Sequence, residues 1–132
     1  MNRSRTIPLS LLLVLPFVIG VLWPMQALRA EPTAFVSVIA DLPLMTDLEE
    51  DPAVAVVFET ASGRIAQAYA SGKMKRRSVQ DFYAATLPQL GWHLETLDRY
   101  RREGEVLTLE VTADADRPGQ VNVYFKLAPA EP

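Results

Sequence analysis

Few side chains in this sequence are of the types that make or break bonds. His93 is the single histidine and there is no cysteine, so the usual histidine- and cysteine-based zinc sites are not available. The four serines after position 30 lie in no nucleophile-elbow motif, and there is no glycine-rich phosphate loop. The sequence therefore predicts a protein that is not an enzyme and has no metal or other cofactor. His93 is interpreted as an ordinary strand residue, with a proton carrier as the alternative.

Carboxylates are grouped at two places. Asp114, Asp116 and Gly119 form a D-x-D-x-x-G stretch, but it lacks the further oxygen ligands and the closing glutamate of a calcium loop. The second group is an acidic run at positions 47, 49, 50 and 51. We interpret the first as a turn between two strands and the second as a solvated loop, with weak cation binding as the alternative for both.

Two groups of basic residues occur in a part of the chain that is otherwise acidic. The first thirty residues hold three of the thirteen Lys and Arg and none of the sixteen Asp and Glu, so residues 31–132 carry a formal charge of −6. Clustered cations in such a domain make a local positive patch that can engage an acidic partner, a lipid phosphate or a glycan carboxylate. The sequence predicts an interaction patch at Lys73, Lys75, Arg76, Arg77, Arg99, Arg101 and Arg102; solvated loops that flank a hairpin are the alternative.

Three large side chains have two interpretations. Met74, Trp92 and Tyr100 could line a groove for an apolar ligand, but sulfur and aromatic side chains at strand and cap positions are more often part of a core. We therefore predict that they pack inside the domain.

Residues 1–30 have the layout of a secretory signal. Arg3 and Arg5 precede an apolar run from Ile7 to Trp23, and Ala27 and Ala30 offer small residues for cleavage. The run is short for a membrane span and contains proline and glycine, which favours a cleaved segment. A retained anchor, with membrane association through residues 7–29, is the alternative.

Residues 31–132 are enough for one compact domain. Without cysteine the fold must rest on packing alone, and the same absence, together with the signal, favours a bacterial envelope protein. The predicted location is the periplasm, or the periplasmic face of the inner membrane if the anchor is retained. Export and the acidic charge argue against nucleic acid as a partner.

The hydrophobic pattern places one helix among strands. Alternating residues predict strands over 53–60, 64–71, 92–101, 105–112 and 121–127, and Ala34 to Ala40 is apolar enough for another. A helix is predicted from a capping box at Ser78 and Asp81 to Leu90, with Pro88 weakening its last turn and Gly91 as its cap. Its apolar stripe consists of Val79, Phe82, Tyr83, Leu87 and Leu90.

These elements predict an α+β fold, a two-layer sandwich in which a single amphipathic helix packs on an antiparallel sheet of about five strands in the order ββαβββ. The predicted divisions are 1–30 signal peptide or membrane anchor, 31–52 extended acidic lead-in, 53–128 α+β domain and 129–132 tail.

The segment from Phe82 to Trp92, followed by an Arg-rich strand and a hairpin, resembles a pattern of small, uncharacterised exported α+β proteins of Gram-negative bacteria. The arrangement is similar to the helix-on-sheet modules of the BamC type, over residues 54–127. The chain departs from that lipoprotein pattern because it has no cysteine to carry a lipid. The resemblance implies a scaffold or interaction role and no catalytic residue.

The functional prediction is an exported, non-catalytic envelope protein that acts as a protein-interaction or scaffold module, through the basic patch or a free sheet edge. A membrane-tethered accessory subunit of an envelope complex and a small-ligand or cation-binding protein are the alternatives.

Overall fold

The computed structural model describes residues 34–131, in which one helix packs against an open antiparallel sheet of seven strands. The sheet has the order β1-β3-β7-β6-β5-β4, and β2 pairs with β3 on the same side as β1. The strands are β1 Glu49–Glu50, β2 Val56–Thr60, β3 Gly63–Gly72, β4 His93–Thr96, β5 Arg99–Arg102, β6 Glu105–Ala113 and β7 Val121–Pro129. The α+β class and the single helix on an antiparallel sheet are thus confirmed.

The core lies between the helix and one face of the sheet. Cross-strand partners from β3, β7 and β6 form rows on this face, and the central row joins Ala68, Phe125 and Leu109, all of them buried. The three buried alanines of β3, unusual for a strand, face larger partners in β7. Small and large side chains therefore alternate across the rows and fill the layer below the helix.

Helix α1 spans Arg76–Thr86 and continues as a 3-10 turn, Leu87–Leu90. The predicted stripe is confirmed, because Val79, Tyr83 and Leu87 are buried and Phe82 and Leu90 pack against the core. The change to 3-10 geometry falls at Pro88, whose ring does not fit an α-helical turn. Gly91 takes the predicted left-handed cap, with φ of 83°, and Trp92 N donates to the Leu87 carbonyl at 3.1 Å.

The predicted capping box is wrong. The residue that precedes α1 is Lys75, whose side chain makes no capping hydrogen bond, and Ser78 lies inside the first turn. Asp81 does not reach back to the helix start; it forms an exposed salt bridge with Arg77 at 3.6 Å. Ser78 and Asp81 fit the capping motif in sequence, but the helix begins three residues earlier, with Lys75 as the residue before it, directly after the loop from β3.

The predicted strand over 92–101 is two strands. Asp98 has a left-handed backbone, with φ of 63°, and it turns the chain between β4 and β5. Asp tolerates this conformation better than most residues, so Asp98 can form a turn that the alternating pattern of 92–101 did not indicate. With this hairpin and the short β1, the sheet has seven strands where five were predicted.

Residues 34–48 pack into the core. The strand predicted for Ala34–Ala40 is wrong: this stretch turns back on itself, joined by a single bridge between Phe35 and Pro43. It contributes four buried side chains, Val36, Ile39, Leu42 and Leu48. A Cβ at Gly72 would collide with the Asp47 carbonyl oxygen, so glycine at this position lets the segment approach β3.

Tyr83 of α1 links residues 34–48 to the helix. Its hydroxyl donates to the Pro43 carbonyl at 3.0 Å and accepts from Met45 N at 3.4 Å, and its ring meets Phe125 edge to face at 5.6 Å between ring centroids. Burial raises the pKa of Tyr83 well above its ordinary value. The residue is therefore both a core side chain and a polar link between two layers.

Candidate functional site

The seven predicted patch residues form two separate groups. Lys73 and Lys75 follow β3, and Arg76 and Arg77 open α1, whereas the other three lie on β5. Arg99 is in register with Thr108, Lys126 and, in β3, Gln67. Since three strand spacings and five residues along β3 separate Arg99 from Gly72, the two groups lie about 20 Å apart.

The β5 arginines are engaged within the protein. Arg101 and Arg99 both contact the Glu95 carboxylate, the latter at 3.7 Å, and their hydrogen bonds and charges lower the pKa of Glu95. Arg102 lies over the Trp92 ring at 4.4 Å from its centroid and donates to the Leu90 carbonyl at 3.0 Å. Arg102 thus caps the end of the 3-10 turn and joins it to the sheet.

Arg102 is therefore expected to matter for stability. Arg102→Ala should lower the free energy of unfolding by about 1–2 kcal/mol, because it removes a charged hydrogen bond and a cation–π contact. Chemical denaturation measures this. Arg77→Ala is the matched control and should change stability by less than about 0.5 kcal/mol, since its salt bridge is exposed. Equal effects of the two variants would contradict the structural role of Arg102.

The group beside α1 keeps its cations at the surface. Lys73, Lys75 and Arg76 are exposed, and within residues 34–131 no carboxylate lies within salt-bridge distance of them. The predicted residues at 73, 75 and 76 therefore form a basic surface without ion-pair partners in this range, whereas Arg77 pairs with Asp81 and those at 99, 101 and 102 have structural contacts.

The other residues considered as reactive or ligand-binding lie apart from these two basic groups. His93 is exposed on β4, beside Arg101. Met74, Trp92 and Tyr100 pack in or against the core, as predicted. In the described part of the chain, no three His, Asp or Glu side chains are gathered as a metal site would require.

Asp114 builds the turn between β6 and β7. Its carboxylate accepts from the backbone N–H groups of Asp116 and Arg117 and from the Arg117 guanidinium, at distances of 2.8 to 3.1 Å. The Arg117 hydrogen bond is the main reason that the pKa of Asp114 is lowered. The turn interpretation of this stretch is confirmed. Arg117 was not among the predicted site residues.

Strand β2 exposes an apolar edge. A free sheet edge was predicted from the sequence, but without the residues that form it. All five of its residues are exposed, among them Val56, Val57 and Phe58, the last 51% accessible. β2 pairs only with β3, so its other edge has no partner strand among residues 34–131. A row of unpaired backbone groups is a template for another strand.

The backbone groups that face this edge follow from the register. The Tyr69 carbonyl accepts from Asp51 N at 2.9 Å, so odd-numbered residues of β3 direct their backbone groups to the β1 and β2 side. Their partners in β2 are Val56, Phe58 and Thr60. Hydrogen bonding alternates along an antiparallel pair, so Val57 and Glu59 direct their N–H and C=O groups outward.

The opposite edge of the sheet, β4, is protected. Its register shifts between Leu94 and Thr96, and Glu95 binds two arginines of the neighbouring strand. Bulges and charges are the devices with which proteins block edge pairing. β2 has no bulge, and Glu59 near its end is its single charged residue. Of the two edges, β2 is the one open to a further strand.

A cleft adjoins the start of β2. It has a volume of about 450 Å³ and is lined by Glu49, Asp51, Val54, Tyr69, Ala70, Ser71, Arg117 and Asn122. It lies where β1 ends and the 3-10 turn Pro52–Val54 leads to β2, and Asp51 caps that turn by accepting from Ala53 N at 3.0 Å. Asn122 belongs to β7, so the cleft extends across β3 from the side of the free edge to β7.

No family model, curated protein or solved structure matches this chain. The resemblance to exported helix-on-sheet proteins therefore stays a prediction. No helix within residues 34–131 is long and apolar enough to cross a membrane. The predicted signal or anchor at 1–30 lies outside the described residues, so its role also stays a prediction.

Proposed function

We propose that this chain is an exported, non-catalytic protein-binding module that holds an extended segment of another envelope protein as an extra strand on β2. The observation that carries the proposal is the free edge of β2, which is exposed along its whole length and has outward backbone groups at Val57 and Glu59. Strand addition gains affinity from main-chain hydrogen bonds and specificity from alternate side chains.

The side chains of β2 suit such a partner. Val56 and Phe58 lie on the open face of the sheet and Val57 on the helix side, so an added strand meets apolar surface on both faces. The rest of the sheet supports this edge, because β3 pairs with β7 over seven residues. A rigid scaffold of this kind limits the entropy lost on binding.

The basic surface at Lys73, Lys75 and Arg76 is the second candidate contact. Its support is the exposure of the three cations without salt-bridge partners in the described range. The arginines of β5 are less suitable, since their charges are neutralised or stacked within the protein. A partner that binds there would recognise charge and would be sensitive to salt.

The test uses two variants at one position. Val57→Pro removes an outward N–H that makes no bond to β3, and Val57→Thr keeps it. Recovery of envelope proteins after crosslinking in the native host is expected to fall at least about tenfold for Val57→Pro and to be unchanged for Val57→Thr. Circular dichroism checks the fold of both variants.

Two further variants keep the test decisive. Phe58→Lys places a charge on the edge without a proline and should also abolish recovery. Changing Lys73, Lys75 and Arg76 together to Gln should leave it intact. If that triple variant loses the partner and Val57→Pro does not, the edge proposal is wrong and the basic surface is the contact.

A further inference from the structure

We propose that the cleft beside Tyr69 binds an organic cation, the ammonium or guanidinium group of a basic side chain on the segment that β2 holds. This inference rests on the proposed function and adds the chemistry of the partner. It depends on three features of the cleft: an aromatic face, a surplus of carboxylates and its position at the end of the free edge.

The aromatic face belongs to Tyr69. Its ring stacks on Tyr124 with centroids 4.7 Å apart and an interplanar angle of 29°, so Tyr124 covers one of its two faces. Tyr69 is nevertheless 42% exposed and lines the cleft. A cation within about 6 Å of a ring centroid is attracted by the negative face of the ring. Val54 adds an apolar wall for the methylene stem of a long side chain.

The carboxylates outnumber the available cations. Glu49 and Asp51 both line the cleft, and no lysine or arginine pairs with either of them within the described residues. Arg117 also lines it, but its guanidinium binds the Asp114 carboxylate through two nitrogens, at 3.1 and 2.8 Å. The positive charge at the rim is thus balanced, and the charge offered to a ligand is negative.

The position of the cleft links it to the edge. Val54 lines the cleft and is two residues from the first residue of β2. Successive residues of a strand advance by about 3.3 Å, so a side chain near the end of a strand added to β2 would lie beside the cleft. A lysine or arginine at that place could reach Tyr69 across the 3-10 turn.

The test separates the cleft from the edge by using a small probe. The full chain is titrated with n-butylammonium chloride and, in parallel, with 1-butanol, and NMR follows the Tyr69 ring and the Asp51 amide. The ammonium ion should give saturable shifts at both positions, and the neutral alcohol should give none. Glu49→Gln and Asp51→Asn should each weaken the ammonium affinity by about threefold or more; asparagine can still cap the 3-10 turn.

Glu59→Gln is the matched control. It removes the same charge from an exposed position on β2, opposite Arg64 and outside the cleft, and should leave the affinity unchanged. Equal shifts with butanol, or equal losses in Glu59→Gln and Glu49→Gln, would overturn the cation site. Ammonium binding that persists in Val57→Pro while that variant still recovers its partner would overturn the edge proposal alone.

Discussion

Phe125→Ala is expected to lower the free energy of unfolding by about 3–5 kcal/mol. Phe125 is fully buried at the centre of the sheet, between Ala68 and Leu109 in its neighbouring strands. It also meets Tyr83 edge to face. Its removal would leave a cavity below the helix, which the small side chain of Ala68 could not fill. Urea denaturation followed by tryptophan fluorescence measures the loss.

Leu94→Ala is the control for this prediction. Leu94 lies on β4 in register with Tyr100, but it is 62% exposed, so its truncation should cost less than about 1 kcal/mol. If both variants cost the same, the core would not lie between the helix and the central strands of the sheet.

Tyr83→Phe is expected to cost about 1–3 kcal/mol near neutral pH, because it leaves the Met45 N–H and the Pro43 carbonyl without their partner. The ring and its contact with Phe125 are kept, so the loss reports the hydroxyl alone. We expect the main structural effect in residues 34–48, and hydrogen exchange should show faster opening of that segment than of β6 and β7.

The difference in stability between the wild type and Tyr83→Phe is expected to decrease at high pH. Burial raises the pKa of Tyr83 in the folded state, so the unfolded chain loses this proton first, near pH 10. The stabilisation is complete below that pH and decreases above it. Between pH 8 and pH 11 the stability gap between wild type and Tyr83→Phe should narrow by roughly 1.4 kcal/mol. A gap that stays constant over this range would contradict the buried, protonated hydroxyl.

The elements that depend on local pattern were predictable. The alternation in β6 and β7, the helical stripe around Val79 and Tyr83, and the cap at Gly91 all come from spacings of two to four residues. The prediction of the capping box used the same kind of local spacing and was wrong. Ser78 and Asp81 fit the motif, but the loop from β3 determines where the helix begins.

The predicted interaction patch shows the limit of sequence reasoning about sites. Arg99, Arg101 and Arg102 looked like surface cations, yet they contact Glu95, Trp92 and the Leu90 carbonyl. These contacts depend on the turn at Asp98 and on the path of the chain after α1. Net charge and clustering describe composition, and they do not say which charges are already paired.

The sequence by itself determined the class of the fold and the core side chains of α1, β6 and β7, because a pleated strand and a helix each bury residues at a fixed period. Only the tertiary structure decided which edge of the sheet is free, that Asp51 and Tyr69 share a cleft, and that residues 34–48 complete the core. Each of these depends on register between segments far apart in the chain. Register is set by the packing of the whole sheet, and no local spacing records it.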